Sequence, residues 1–261
     1  MWIGKRIVWG VLHALACVVP QAPRMTVLLY HSISREKDFF AVTPEVFREH
    51  VQYLKRAGIE LVPLSRAFEH AQGSAVTTDS VAITFDDGYK DFLLEVAPIL
   101  AQESVPATVF VLGEDPLRSE LANSLPLLSV EDITELAKHS LVSIGSHALS
   151  HRKLTKLPEE ELKVEVEHSR ERIQRAVGVA PAFLAYPKGA HNERVMRAVS
   201  EAGYRGAVSV IERGVHVGDD RLALPRVQVD SSTTASMLRA KVSVAADWYY
   251  AFWCLGKRIR G

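Results

Sequence analysis

The segment VAITFDDG, residues 81–88, decides how this chain is read. Its first five residues are apolar or β-branched, too few for a stable helix and too apolar for a surface loop, so they read as a buried strand. The strand runs directly into Asp86-Asp87-Gly88. Adjacent residues leaving a strand point in different directions, so one carboxylate can bind a metal while the other stays free to take a proton. Gly88 lets the backbone turn sharply into the next element. A second segment, SIGSHALSH at residues 143–151, has the same plan: a strand-like run that ends on His147 and His151. Their i, i+4 spacing is expected to put both imidazoles on one side of a helical turn. One aspartate and two histidines can supply three protein ligands of an open zinc site, with a coordination position left for water. That ligand set suits hydrolysis.

Working outward, the pattern alternates. Residues 25–31, MTVLLYH, read as a first strand. Thr43-Pro44-Glu45 offers an N-cap, a proline at the first helical position and an acid in the first turn, opening a helix that runs to Gly58. Further strands are expected at 59–62, 107–112, 141–144, 183–186, 204–210 and 224–229. Helices are expected at 65–72, 89–102, 129–139, 158–177 and 192–202. Such alternation implies a mostly parallel sheet with right-handed crossovers, and the number of units points to closure toward a barrel. Chemistry in such a barrel gathers at the C-terminal strand ends, where Asp86, Asp87, His147, His151 and His31 all fall.

The length of 261 residues suits one large α/β domain. With 31 basic and 31 acidic residues the formal charge is zero, which removes the electrostatic reason to expect a nucleic-acid partner. Cys17 and Cys254 lie in opposite terminal segments, which rules out a Cys-rich metal site and a disulfide framework; a single Cys17–Cys254 bridge is not favoured. The tryptophans, Trp2, Trp9, Trp248 and Trp253, also lie only at the ends. Residues 1–24, an apolar stretch behind Lys5 and Arg6, are read as an interfacial anchor, an export signal or a packing helix. They are short of the roughly 20 residues that span a bilayer. Residues 244–261 form an aromatic and basic helix suited to a membrane interface, and 25–243 the barrel between. The expectation is peripheral membrane contact through both termini, or export, with neither side of a membrane preferred.

The order TFDDG, SHALSH and then AYPKG at 185–189 resembles the polysaccharide deacetylases of carbohydrate esterase family four, the NodB homology domain, over about residues 26–229. VLLYHSIS at 27–34, TPEVFREHVQYLKRAG at 43–58 and LPR at 224–226 are similar to bacterial members acting on exopolysaccharide or cell-wall sugars. The resemblance implies a distorted (β/α)7 barrel. It implies a metal-dependent hydrolase that removes acetyl groups, N-acetyl in preference to O-acetyl, from an N-acetylated polysaccharide, with Zn2+ or another divalent transition metal. Carried over by position, it makes Asp86 the general base and Asp87, His147 and His151 the metal ligands. The same reasoning makes the backbone N–H of Lys188 an oxyanion donor, beside Tyr186 and Pro187 at the substrate.

Departures from the family pattern set further expectations. Ala148 stands where a hydroxyl residue usually braces the ligand loop, and Ala185 where an arginine usually holds the base. Arg226 is the expected substitute, because a guanidinium can grip a carboxylate bidentately. No leucine-x-histidine motif occurs at 236–242, SMLRAKV, so His31 is the first candidate to protonate the leaving amine and His216 the second. His191 is read as a helix cap and the acidic run 159–167 as a solvated helix face. His13, His50, His70, His139 and His168 are read as scaffold without partners. Two other classes compete: a non-catalytic carbohydrate-binding or polysaccharide-assembly component, and a two-histidine, one-carboxylate Fe(II) oxygenase. Asp86, which a metal site does not need, argues against the first; the βα alternation and the paired carboxylates argue against the second.

Overall fold

Strand pairing organises the structure, a computed structural model that describes residues 2–16, 18, 22–114, 121 and 125–260. Helix α1 (Trp2–Ala16) precedes β1 (Met25–Tyr30), α2 (Pro44–Arg56), β2 (Glu60–Leu61), α3 (Ser65–Ala71) and β3 (Ser80–Phe85). A π-helical turn (Phe92–Val96) leads into α4 (Ala97–Glu103), followed by β4 (Ala107–Val111), α5 (Val130–Leu136) and β5 (Val142–Ser146). Helices α6 (Glu159–Lys163) and α7 (Ser169–Val177) are joined by a π-helical turn (Val164–His168). Then come β6 (Phe183–Ala185), α8 (Glu193–Glu201), β7 (Gly206–Val208), β8 (Val227–Gln228), α9 (Ala235–Lys241) and α10 (Ala245–Arg260).

The strands pair in the order β7-β6-β5-β4-β3-β1-β8, all parallel, with β2 added beside β3. Parallel neighbours need a crossover, and the helices provide it. Between the sheet's two ends Val208 bridges Leu224, and the Ser209 N–H donates to the Leu224 carbonyl at 2.8 Å. The sheet is thereby curled into the barrel expected from the sequence.

Strand periodicity decides which side chains enter the barrel. Val27, Ala82, Phe110, Ala185 and Val208 share one buried cluster inside it, while Leu28, Tyr30, Ile83, Phe85, Val109 and Val111 belong to another, under the helices. Side chains alternate along a strand, so the residue after outward Phe85, Asp86, faces inward with Ala82 and Thr84. The same count turns His31 inward after Tyr30, His147 after Ser146, and Arg226 before outward Val227. Gly145 is required here, because a Cβ would meet the Phe110 ring at 2.4 Å.

Several expectations change. The long helices expected at 89–102 and 158–177 each contain a π-helical turn. Helix α9 was not anticipated; it starts at Thr234, whose side chain accepts from the Met237 N–H. Both terminal helices pack on the barrel's outer core. Trp9 is fully buried, stacked on Tyr249 with centroids 4.6 Å apart and facing the Lys241 ammonium at 4.8 Å. Cys17 lies outside the described residues, and Cys254 is a free thiol.

His50, expected to lack partners, is buried on α2 between two of them. Its Nδ1 lies 3.1 Å from the Tyr30 hydroxyl and its Nε2 3.2 Å from the Thr233 carbonyl, so the ring ties β1 and the approach to α9 together. His70 is likewise bonded, through Nδ1, to the Ser74 carbonyl. Burial pushes His50 down to about 4. The unfolded chain therefore takes up this proton first as the pH falls, and stability is lost between about 6.5 and about 4, by up to about 3 kcal/mol. In urea unfolding at a series of pH values, His50→Gln is expected to remove that part of the slope; an unchanged slope in the variant would refute the assignment.

Candidate active site

Loops at the C-terminal ends of β3 and β5 converge on one buried point, and a third loop follows β6. The first carries Asp86 and Asp87, which are 3% and 7% exposed. Asp87 and Gly88 both adopt left-handed backbone, with φ of 71° and 69°, and this reversal turns consecutive carboxylates to different neighbours. The second loop carries His147 and His151. It is not the helical turn expected from the i, i+4 spacing: Ala148 and His151 are left-handed, at φ 62° and 68°, and the rings meet across a bend with centroids 5.1 Å apart. The third loop carries Lys188, left-handed at φ 60°. Of the five described non-glycine residues with positive φ, four are in these loops. Each such residue costs of order 1 kcal/mol or more, and such strain collects at functional sites.

One oxygen of Asp87 lies 3.4 Å from Nε2 of His147 and 3.4 Å from Nε2 of His151, and the potential ligand atoms all fall within 4.8 Å of one another. His147 Nδ1 donates to the Ala185 carbonyl at 2.8 Å, which leaves Nε2 to face Asp87, as a lone-pair ligand for a metal or, when protonated, as a hydrogen-bond donor to the carboxylate. Two imidazole nitrogens and a carboxylate converging in this way fit a divalent transition metal. In the metal-free protein, burial and the neighbouring His147 push His151 down to about 4. Burial pushes Asp87 up, but its hydrogen bond with His147 and the surrounding imidazoles more than offset this and hold it well below the ordinary carboxylate range.

Asp86 faces a different partner. Nη1 and Nη2 of Arg226 donate to its two oxygens, each at 2.7 Å, and Arg226 is fully buried. The guanidinium also donates to Thr84 Oγ1 at 3.2 Å and to the Ser209 carbonyl at 3.0 Å, and lies 5.6 Å from the Phe110 ring centroid. Burial raises the Asp86 pKa, but Arg226 and then His147 outweigh it, so the carboxylate stays ionised below its usual range. The Oδ2 atom of Asp86 is 4.0 Å from Nε2 of His147, which puts this carboxylate at the edge of the triad.

His31 is brought to the same mouth, its ring tilted against Phe40 with centroids 4.7 Å apart and its Nδ1 buried and unbonded. Burial lowers its pKa, against the charges of Asp87 and Asp86, so it rests as a neutral imidazole. His216 is not at the site: it pairs with Asp247 at 3.2 Å, beside the Val215–Met25 bridge at the opposite end of β1. His191 caps no helix, a role taken by Asn192; it bonds the Gly189 carbonyl and stacks on Tyr186. Tyr186 is fully buried in the outer cluster under α8, its hydroxyl donating to the Leu222 carbonyl, and Pro187 is buried beside it. Of this motif, Lys188 lies near enough to the cluster for its charge to act on His151.

Two acids support these loops without having been singled out in the sequence. Asp91 accepts from Ser32 Oγ at 2.5 Å, joining the His31 loop to the Asp86 loop. Glu165, expected on a solvated face, is 3% exposed beneath the histidine loop. Its signal was its register, since it falls on the buried helical stripe of Leu162, Val166, Ser169 and Ile173.

The family profile of the polysaccharide deacetylases matches residues 73–207. The chain belongs to the polysaccharide deacetylase family. It is similar to the Bacillus subtilis protein YxkH, at 27% identity over 220 residues, 84% of this chain and 76% of that one. It is also similar to the poly-β-1,6-N-acetyl-D-glucosamine N-deacetylase of Staphylococcus epidermidis, at 23% identity over 214 residues, 79% of this chain and 74% of that one. Among solved structures, the Streptococcus pyogenes deacetylase PplD shares the fold with a TM-score of 0.74 at 20% identity, over 85% of this chain and 99% of that one.

The buried Asp86–Arg226 pair makes a signed prediction. Arg226→Ala leaves an uncompensated buried carboxylate, expected to cost about 3–5 kcal/mol at pH 7. In the variant Asp86 relieves the penalty by taking a proton, while in the wild type the pairing persists down to the depressed folded pKa. The stability gap between the two proteins should therefore narrow from pH 7 to pH 4 in denaturant titrations. A gap independent of pH would mean that the loss is one of packing rather than charge.

Proposed function

We propose that this chain is a metal-dependent hydrolase that removes N-acetyl groups from a bacterial polysaccharide, with Asp87, His147 and His151 holding Zn2+ or a related divalent ion. The observation that carries the reading is Asp86: an ionised carboxylate gripped at both oxygens, at the edge of a three-ligand cluster that does not need it for coordination. A purely structural partner for Arg226 has no need to lie beside the cluster, whereas Oδ2 of Asp86 is 4.0 Å from Nε2 of His147. The named substrate of the Staphylococcus epidermidis relative supports a polymer of N-acetylglucosamine.

When bound, the ion would polarise the acetyl carbonyl and lower the pKa of an attacking water. Asp86 is the base that takes the water's proton, and Arg226 is its positioning partner, fixing both carboxylate oxygens in one plane. The backbone N–H of Lys188 is assigned to the oxyanion, with Tyr186 and Pro187 shaping that loop from behind. His31 is assigned to the leaving amine; because it rests neutral, the proton it delivers must first reach it, and the water's proton taken by Asp86, whose charge already acts on this imidazole, is the source.

Acetate release from N-acetylglucosamine oligomers and from poly-N-acetylglucosamine tests the assignment. Asp86→Asn is expected to lower the rate by about 10²- to 10⁴-fold while zinc content stays at the wild-type level. Equal release from both proteins would sink the base assignment. A zinc-loaded wild type that binds these polymers without releasing acetate would favour the carbohydrate-binding alternative.

The termini are proposed to seat the barrel on a membrane surface. Helices α1 and α10 expose Val8, Val11 and Leu15, and Phe252, Trp253 and Leu255, with Phe252 80% exposed, and the same segments contain Lys5, Arg6, Lys257, Arg258 and Arg260. No described helix is long and apolar enough to cross a membrane, which favours an interfacial seat. Replacing Phe252, Trp253 and Leu255 together by serine is expected to lower co-sedimentation with phosphatidylserine-containing vesicles several-fold. Unchanged sedimentation would remove the proposal.

A further inference from the structure

The segment between the two histidines, 148–150, is held by partners outside itself. Ala148 contributes a methyl group, and left-handed backbone at Ala148 and His151 turns the intervening N–H groups away from the barrel. One edge of the segment is paired: Gly113 and Glu114, just past β4, donate to the carbonyls of Ala148 and Leu149, both at 3.0 Å. The other edge meets Glu165. A single oxygen of this buried carboxylate accepts from the N–H of Leu149 and the N–H of Ser150, both at 3.0 Å, and the second oxygen accepts from Ser150 Oγ. Glu165 belongs to the π-helical turn between α6 and α7, where a helix has one residue more per turn than usual.

We infer that Glu165 is a positioning residue for the metal centre, a buried carboxylate that holds the 147–151 loop closed and so sets the approach of His147 and His151 to Asp87. Removing it leaves two buried N–H groups unpaired, a penalty the loop escapes by unwinding from its left-handed turns. Unwinding separates the two imidazoles. The carboxylate acts from outside the ligand set, as outer partners of metal ligands do when they fix orientation. The inference rests on the reading of Asp87, His147 and His151 as a metal site.

Zinc affinity, measured by competition with a chromophoric chelator, tests it together with the melting temperature of the metal-free protein. Glu165→Leu is expected to weaken zinc binding by about 10- to 100-fold. Glu165→Gln should remain within a few-fold of wild type, because its amide oxygen can accept from both N–H groups while the Ser150 hydroxyl turns to accept from the amide nitrogen. Wild-type zinc affinity in Glu165→Leu, whatever its melting temperature, would overturn the inference by reducing Glu165 to a stability element. If Glu165→Leu does not fold, Glu165→Asp keeps the charge but withdraws it by one methylene; weakened zinc binding supports the inference and unchanged binding overturns it. Failure of the wild type to bind zinc would defeat the metal reading, and this inference with it; wild-type binding with equal affinity in the variants defeats this inference alone.

Discussion

A fully buried guanidinium is the constraint on which the rest of this barrel depends. Desolvating a cation costs several kcal/mol even after the protein relaxes, so Arg226 is tolerable only with its donors engaged. Asp86 takes two of them, Thr84 and the Ser209 carbonyl take others, and the Phe110 ring lies against the guanidinium. Each partner brings its strand. Thr84 and Asp86 come from β3 and its end, Ser209 from the end of β7, and Phe110 from β4. Phe110 in turn needs a neighbour without a side chain, and Gly145 of β5 supplies it two residues before His147. The cation that orients one carboxylate thus also helps to set where the first histidine leaves its strand.

Around that interior, the site is made of backbone the chain would not otherwise choose. Asp87, Ala148, His151 and Lys188 are all left-handed, and none is glycine. In the histidine loop that cost is met by hydrogen bonds with groups outside it: the Ala185 carbonyl accepts from His147, Gly113 and Glu114 donate to one edge, and Glu165 accepts from the other. A loop held from three sides has little freedom to relax toward ordinary dihedrals. Preorganisation of this kind is what a metal centre needs, since ligands that must be gathered at the moment of binding lose affinity to their own entropy.

Much of this was legible in the residues, and the boundary between what was and was not follows physical lines. Strand positions could be read because buried parallel strands are short apolar runs, and the acids and histidines could be placed because strand ends in such a sheet share one face. Contacts between elements were less accessible. His50 looked like an idle helical histidine because its partners, Tyr30 and the Thr233 carbonyl, are remote in the sequence. Glu165 looked like one acid among several in a charged run, although its spacing from Leu162 and Ser169 set it on the apolar stripe. The i, i+4 histidines suggested a helix, whereas the geometry comes from a bend that only positive φ permits.

Arg226 shows how a departure from a pattern can be informative. Ala185 removes a cation from one strand, yet Ala185 is not idle: its methyl group packs inside the barrel and its carbonyl orients His147. A long basic side chain at that position would have to share the interior with Phe110 and Arg226, and two guanidiniums facing one carboxylate would leave a net buried charge. The small residue at 185 and the arginine at 226 are therefore one arrangement. A cation is supplied to Asp86 from the start of β8, two strands from β3, and β6 provides a hydrogen-bond acceptor for the histidine.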